Sequence, residues 1–153
     1  MSTSLVRVVI VAAVLLVLAV VNISILGKER IRDGGERILL ELAPVDPRSL
    51  MQGDYMALRF TLANEIRSDA SGTVPVQLDA NGVARLDPEP RADSLRLRYR
   101  IRQGQVWLGT NAYFFEEGAA ERFAGARYGE FRVDRDSGEA VLVGMVSPEF
   151  KPL

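Results

Sequence analysis

From Val8 to Leu26 the chain runs for 19 residues without a charge; fourteen are Val, Ile or Leu, three are Ala, and only Asn22 and Ser24 are polar. A helix packed on a soluble core would need a polar face, and this stretch has none. At 1.5 Å per residue it spans ~28 Å, close to the thickness of a bilayer's hydrocarbon layer. On an insertion scale, fourteen such side chains contribute about −6 kcal/mol, and the polar pair near one end offsets only part of it. The run exceeds the roughly 7–15 apolar residues of a cleaved leader, and Val20-Val21-Asn22-Ile23 offers no small-x-small cleavage site. The pattern therefore predicts a single N-terminal transmembrane helix within residues 1–27, uncleaved.

Residues 28–37 are charged and hold the Gly34-Gly35 pair; they read as a juxtamembrane linker. From residue 38 to 153 the period changes to two, the signature of half-buried strands. Ile38–Ala43 is a short apolar strand, ended by Pro44 and Pro47. Tyr55–Leu62 alternates, placing Met56, Leu58, Phe60 and Leu62 on one face and Arg59 and Thr61 on the other. Val74–Leu78 and Val83–Leu86 flank Asp79-Ala80-Asn81-Gly82, a hairpin signal. In Ser94–Arg102, Leu95, Leu97, Tyr99 and Ile101 point inward, and Arg96, Arg98, Arg100 and Arg102 outward. Gln103-Gly104 then turns the chain into Val106-Trp107-Leu108. Glu116–Arg127 predicts the one short helix outside the membrane, with acidic side chains in its first turn and Arg127 in its last, as the macrodipole prefers. Phe131–Asp134 and Ala140–Val146 flank Asp136-Ser137-Gly138 as a closing hairpin. The fold class is α+β, mostly antiparallel β, built of hairpins that could close into a barrel-like domain.

Charge changes the picture little: 19 basic residues balance 20 acidic ones, so no net field draws the chain to nucleic acid. Histidine and cysteine change it a great deal, because both are absent. That excludes a Ser–His–Asp triad, a thiol nucleophile, imidazole or thiolate metal sites and disulfides. Lys28 and Lys151 are the only lysines. No catalytic residue, cofactor or metal site is expected. Loop charges count slightly toward a cytoplasmic C-terminal side. The short N-terminal tail before an early apolar run instead favours a signal anchor with an extracytoplasmic domain.

Gly53-Asp54-Tyr55-Met56-Ala57-Leu58-Arg59-Phe60 resembles the signature of the GDYXXLXY protein family, with Phe60 in place of the final tyrosine. The flanking residues 42–52, 109–118 and 126–133 are similar to that family as well. The resemblance implies a bacterial, inner-membrane protein of no assigned activity, working beside a multi-spanning membrane partner, and it supplies no catalytic residues. On the residues themselves, Gly53 permits a sharp turn and Asp54 can bond the turn backbone. The plain reading is that both fix the start of a strand. The functional reading makes Asp46, Arg48, Gly53, Asp54 and Tyr55 a recognition surface.

Ser49–Asp54 is also similar to the strand and Gly-Asp turn of type I signal peptidases. Their serine position is Val45 here, and the only lysines are Lys28, at the membrane boundary, and Lys151, near the C-terminus, which argues against a Ser–Lys dyad. Four arginines on one strand face repel one another, and they call for cross-strand Asp or Glu, lipid phosphates or a partner's carboxylates. Asp134, Asp136 and Glu139 read first as a turn and only weakly as a cation site. Trp107, Tyr113, Phe114 and Phe115 read as core. The function expected is a membrane-anchored accessory protein contacting the bilayer and an integral membrane partner. The rivals are a hydrolase using Asp46 and Asp54, or a sensor binding a small ligand in an apolar cavity near Trp107.

Overall fold

The computed structural model describes residues 3–44, 51–52 and 55–153. The chain divides into two compact units, Met1–Arg30 and Ile31–Leu153. Helix α1 (Thr3–Gly34) supplies the whole described part of the first unit. Its large apolar side chains, from Leu5 to Leu26, are exposed. From Ser4 to Gly34 it is long and apolar enough to cross a membrane, with a mean hydropathy of 3.1 over its most apolar window. Asn22 Nδ2 donates to the Leu18 carbonyl at 2.8 Å. That bond meets one of the amide's two N–H donors and so lowers the cost of carrying it into hydrocarbon.

The helix continues through residues expected to form a linker, and strand β1 (Glu36–Glu41) begins directly after Gly35. Gly35 explains the abrupt change. Its N–H donates to the Ile31 carbonyl at 2.8 Å. A Cβ there would lie 2.5 Å from that oxygen and 3.0 Å from the Val133 nitrogen, so only glycine allows the approach.

The second unit continues with β2 (Met51–Gln52), β3 (Tyr55–Ala57), α2 (Thr61–Glu65), β4 (Gly72–Leu78), β5 (Ala84–Leu86), β6 (Leu95–Arg102) and β7 (Gln105–Leu108). It ends with β8 (Ala112–Phe114), α3 (Ala120–Phe123), β9 (Tyr128–Val133) and β10 (Ala140–Val146). The strands form three antiparallel sheets, ordered β1-β9-β10, β2-β3-β8 and β5-β4-β6-β7. The fold class is thus α+β, mostly antiparallel β, behind an apolar N-terminal helix.

One core joins the sheets. Ile38 and Leu40 of β1, Phe131 and Val133 of β9, and Leu95 and Leu97 of β6 are buried in it with Met56, Leu58, Phe60 and Leu62. Phe60 meets Phe131 edge-on at 5.4 Å, a favoured aromatic geometry. Strand β1 is covered on its other face too: Leu39 packs with Val83 and Val146, and Tyr128 stacks on Phe150 beside them.

The hairpins follow the turn chemistry read from the sequence. Asp79 Oδ1 accepts from the N–H groups of Asn81 and Val83 at the β4–β5 turn. Gln103 and Gly104 both take positive φ in the two-residue β6–β7 turn, as a type I′ hairpin requires.

Three expectations need correction. The alternating run from Tyr55 is a strand only to Ala57, and Thr61–Glu65 is helical. Its inward residues are nonetheless all buried, because a bend followed by a helical turn keeps the same side chains on the core. The helix expected over 116–127 shrinks to Ala120–Phe123. Gly118, at φ +82°, stops it on one side and Gly125 follows it on the other, leaving Glu116 and Glu117 outside it. Phe114, which the sequence places with the core, is 74 % exposed, because it sits opposite Tyr55 on the outer face of β3–β8.

Candidate functional site

Strand β6 alternates strictly: Leu95, Leu97 and Tyr99 are buried, while Arg96, Arg98, Arg100 and Arg102 are exposed. Six residues separate the first arginine from the last, so the row is about 20 Å long. Neighbouring strands were expected to supply acidic partners, and they do not. Arg96 faces Pro75, Arg98 faces Thr73, Arg100 faces Trp107 and Arg102 faces Gln105. Among the described residues no carboxylate lies within ion-pair distance of any of the four. Their contacts are neutral: Arg96 Nε donates to Thr73 Oγ1 at 3.2 Å, and the Arg102 guanidinium lies 5.1 Å from the centre of the Trp107 ring.

The β1–β9 sheet and its surroundings show how this fold treats other arginines. Arg37 meets Glu130 at 3.0 Å, Arg127 meets Glu41 at 2.7 Å, and Arg85 reaches the same Glu41 at 3.8 Å. Arg135 Nε sits 2.6 Å from Glu36 Oε2, off the N–H direction, so the contact is one of charge rather than a directed hydrogen bond. The four guanidinium groups of β6 thus differ from those around β1 and β9 in having no carboxylate partner among the described residues. Like charges about 7 Å apart in water repel by roughly 0.6 kcal/mol. Three such neighbouring pairs cost about 2 kcal/mol, less at physiological salt. The fold can carry that cost, and carboxylates brought against the row would reverse it.

The row is held in register by a second element. The Arg98 N–H donates to the Gly138 carbonyl at 2.7 Å, so the β9–β10 turn closes the edge of β6. A Cβ on Gly138, at φ +70°, would stand 2.8 Å from the Arg96 carbonyl oxygen. Within that turn Asp134 Oδ1 accepts from the N–H and the hydroxyl of Ser137, both at 2.7 Å. Chiefly the Ser137 hydroxyl, helped by backbone N–H donors, holds the Asp134 carboxyl below its ordinary range. Asp134 thus serves the turn.

Of the motif surface, Asp46, Arg48, Gly53 and Asp54 lie outside the described residues. The pairing of Asp46 with Asp54 falls there too. Tyr55 is half-buried, pairs in register with Phe114, and its ring lies 5.7 Å from that ring. The motif's later residues turn inward, with Leu58 and Phe60 in the core. Phe60 is 1 % exposed, so its packing does not draw on the tyrosine hydroxyl of the family signature.

Trp107 is half-buried and belongs to the outer face of the arginine sheet, a placement that only the β6–β7 register reveals. A cavity of about 290 Å³ beside the β6–β7 turn is half-open rather than enclosed and takes Val106, not Trp107, into its wall. Arg59 and Arg67 line it. Neither could be singled out from the sequence, because α2 and the β6–β7 turn meet there only through the fold. Among the described residues, no group of three or more Asp and Glu is placed to hold a metal ion.

These features define a small β-rich domain behind an apolar N-terminal helix that marks membrane anchoring or a signal sequence. The family model for the GDYXXLXY protein matches residues 17–145. The chain belongs to the GDYXXLXY protein family. No curated protein and no solved structure matches it.

Proposed function

We propose that the chain is a non-enzymatic accessory protein, held in a bacterial inner membrane by α1, with its β-rich domain on the extracytoplasmic side. The β6 arginine row docks on an acidic extramembrane segment of a multi-spanning membrane protein. The observation that carries this reading is the contrast between the β6 arginines and those around β1 and β9. Arginines near β1 and β9 have glutamates within 4 Å, whereas Arg96, Arg98, Arg100 and Arg102 face only neutral side chains. An extended row of guanidinium groups suits carboxylates, which it can grip bidentately. The missing imidazole and thiol groups support a binding role over a catalytic one.

The test places a photo-cross-linking residue at Gln77, on the same sheet face, in the full-length protein in its native membrane. Cross-links to acidic extramembrane residues of one integral membrane protein, lost when the four arginines become glutamine, support the proposal. It is overturned if cross-linking persists in that variant. It is equally overturned if the row instead binds vesicles containing phosphatidylglycerol and cross-links to no protein.

A further inference from the structure

The cavity between α2 and the β6–β7 turn joins an apolar floor to a cationic rim. Its floor is apolar: Leu58, Phe60 and Val106 reach it from the core side. Its rim carries two guanidinium groups, Arg59 and Arg67, and the amides of Asn64, Gln105 and Asn111. No Asp or Glu is among its lining residues. Neither arginine has a carboxylate within ion-pair distance among the described residues. At about 290 Å³ the space is at the small end of ligand pockets.

We infer that this cavity binds a small organic monocarboxylate, its apolar stem on the Leu58–Phe60–Val106 floor and its carboxylate held by Arg59 and Arg67. The charge of the lining fixes the sign of the ligand, since both ionisable lining side chains are cationic. The floor fixes the rest. A bare inorganic anion would leave apolar wall in water, whereas a stem of a few carbons covers it. Carboxylate geometry matches the planar guanidinium fork, and the rim amides donate to whichever oxygen the arginines leave free. Arg59 occupies a position that the family signature leaves unspecified, between the inward Leu58 and Phe60; alternation turns it outward, and the fold places the cavity beside it. The inference is independent of the arginine row on β6.

Benzoate and butyrate are the probes, titrated calorimetrically into full-length protein in nanodiscs, with empty nanodiscs as the blank. The expected result is saturable binding of at least one of them with a Kd in the millimolar range or tighter. Benzamide, which keeps the stem and lacks the charge, should bind about tenfold more weakly or worse, as should the variants Arg59→Gln and Arg67→Gln. Both side chains are exposed, so both variants should keep the wild-type melting temperature, and Arg91→Gln, at an exposed arginine outside both the cavity and the β6 row, should bind like wild type. Absence of saturation with both carboxylates overturns the site. So does equal binding of benzamide, inorganic phosphate binding more tightly than either carboxylate, or full affinity in both arginine variants.

Discussion

Asp134 shows how much one side chain does in a hairpin turn. Its carboxylate accepts two hydrogen bonds from Ser137, and Ser137 Oγ in turn accepts from the Glu139 N–H at 3.2 Å. Asp134→Ala should cost about 1–2 kcal/mol at neutral pH, measured by denaturant unfolding. Because the folded carboxyl titrates below its ordinary value, its stabilisation is complete above about pH 4. It fades as the pH falls through the lower folded value. The gap between wild type and variant should therefore be constant near neutrality and close only in acid; a gap that widened in acid would contradict the assignment. Phe60 makes a complementary point. The sequence marks it as an inward position of an alternating run, and burial agrees, but the run itself changes from strand to helix at Thr61. Alternation reports which side chains face the core, and a short bend can satisfy it as well as a strand.

Among the elements, the hairpins were the most legible. Their turn residues act locally: Asp79, Gln103-Gly104 and Asp134–Gly138 dictate geometry without help from the rest of the chain. Strand β6 was legible for the same reason, its alternation being strict over all eight residues. What could not be read was which strands lie side by side. The absence of acidic partners for the arginines, the outward place of Phe114 and the wall containing Arg59 and Arg67 all depend on register across sheets. The charge pattern favours a helix over 116–127, while Gly118 and Gly125 confine α3 to one turn. Gly138 ties two of these elements together. Gly138→Ala would force a positive φ on alanine and drive a methyl group toward the Arg96 carbonyl. It should destabilise the domain by roughly 2–4 kcal/mol. If unfolding measurements show a loss below the cost of an ordinary surface substitution, the β9–β10 turn does not close the edge of β6 in solution.

For the whole molecule, the apolar surface of α1 demands a non-aqueous environment, because its large side chains are exposed within the fold. Full-length protein should sediment with membranes, resist extraction by carbonate and enter solution only with detergent. Its mass should show residues 8–26 retained. A mature chain shortened past Leu26 and found in the soluble fraction would establish a leader in place of an anchor. Strand β1 carries a further consequence. It is covered on both faces, yet Arg37 and its β9 partner Glu130 are separated by 93 positions, and the packing over Leu39 includes Val146, with Phe150 close by. At roughly 5–20 residues per second, a ribosome takes about 5–20 seconds to deliver the partners of Ile38-Leu39-Leu40. Val83, 44 positions after Leu39, arrives about halfway through that interval, but the β9 side stays open to its end, and a holdase that shields this greasy segment until synthesis nears completion would raise the yield of native protein.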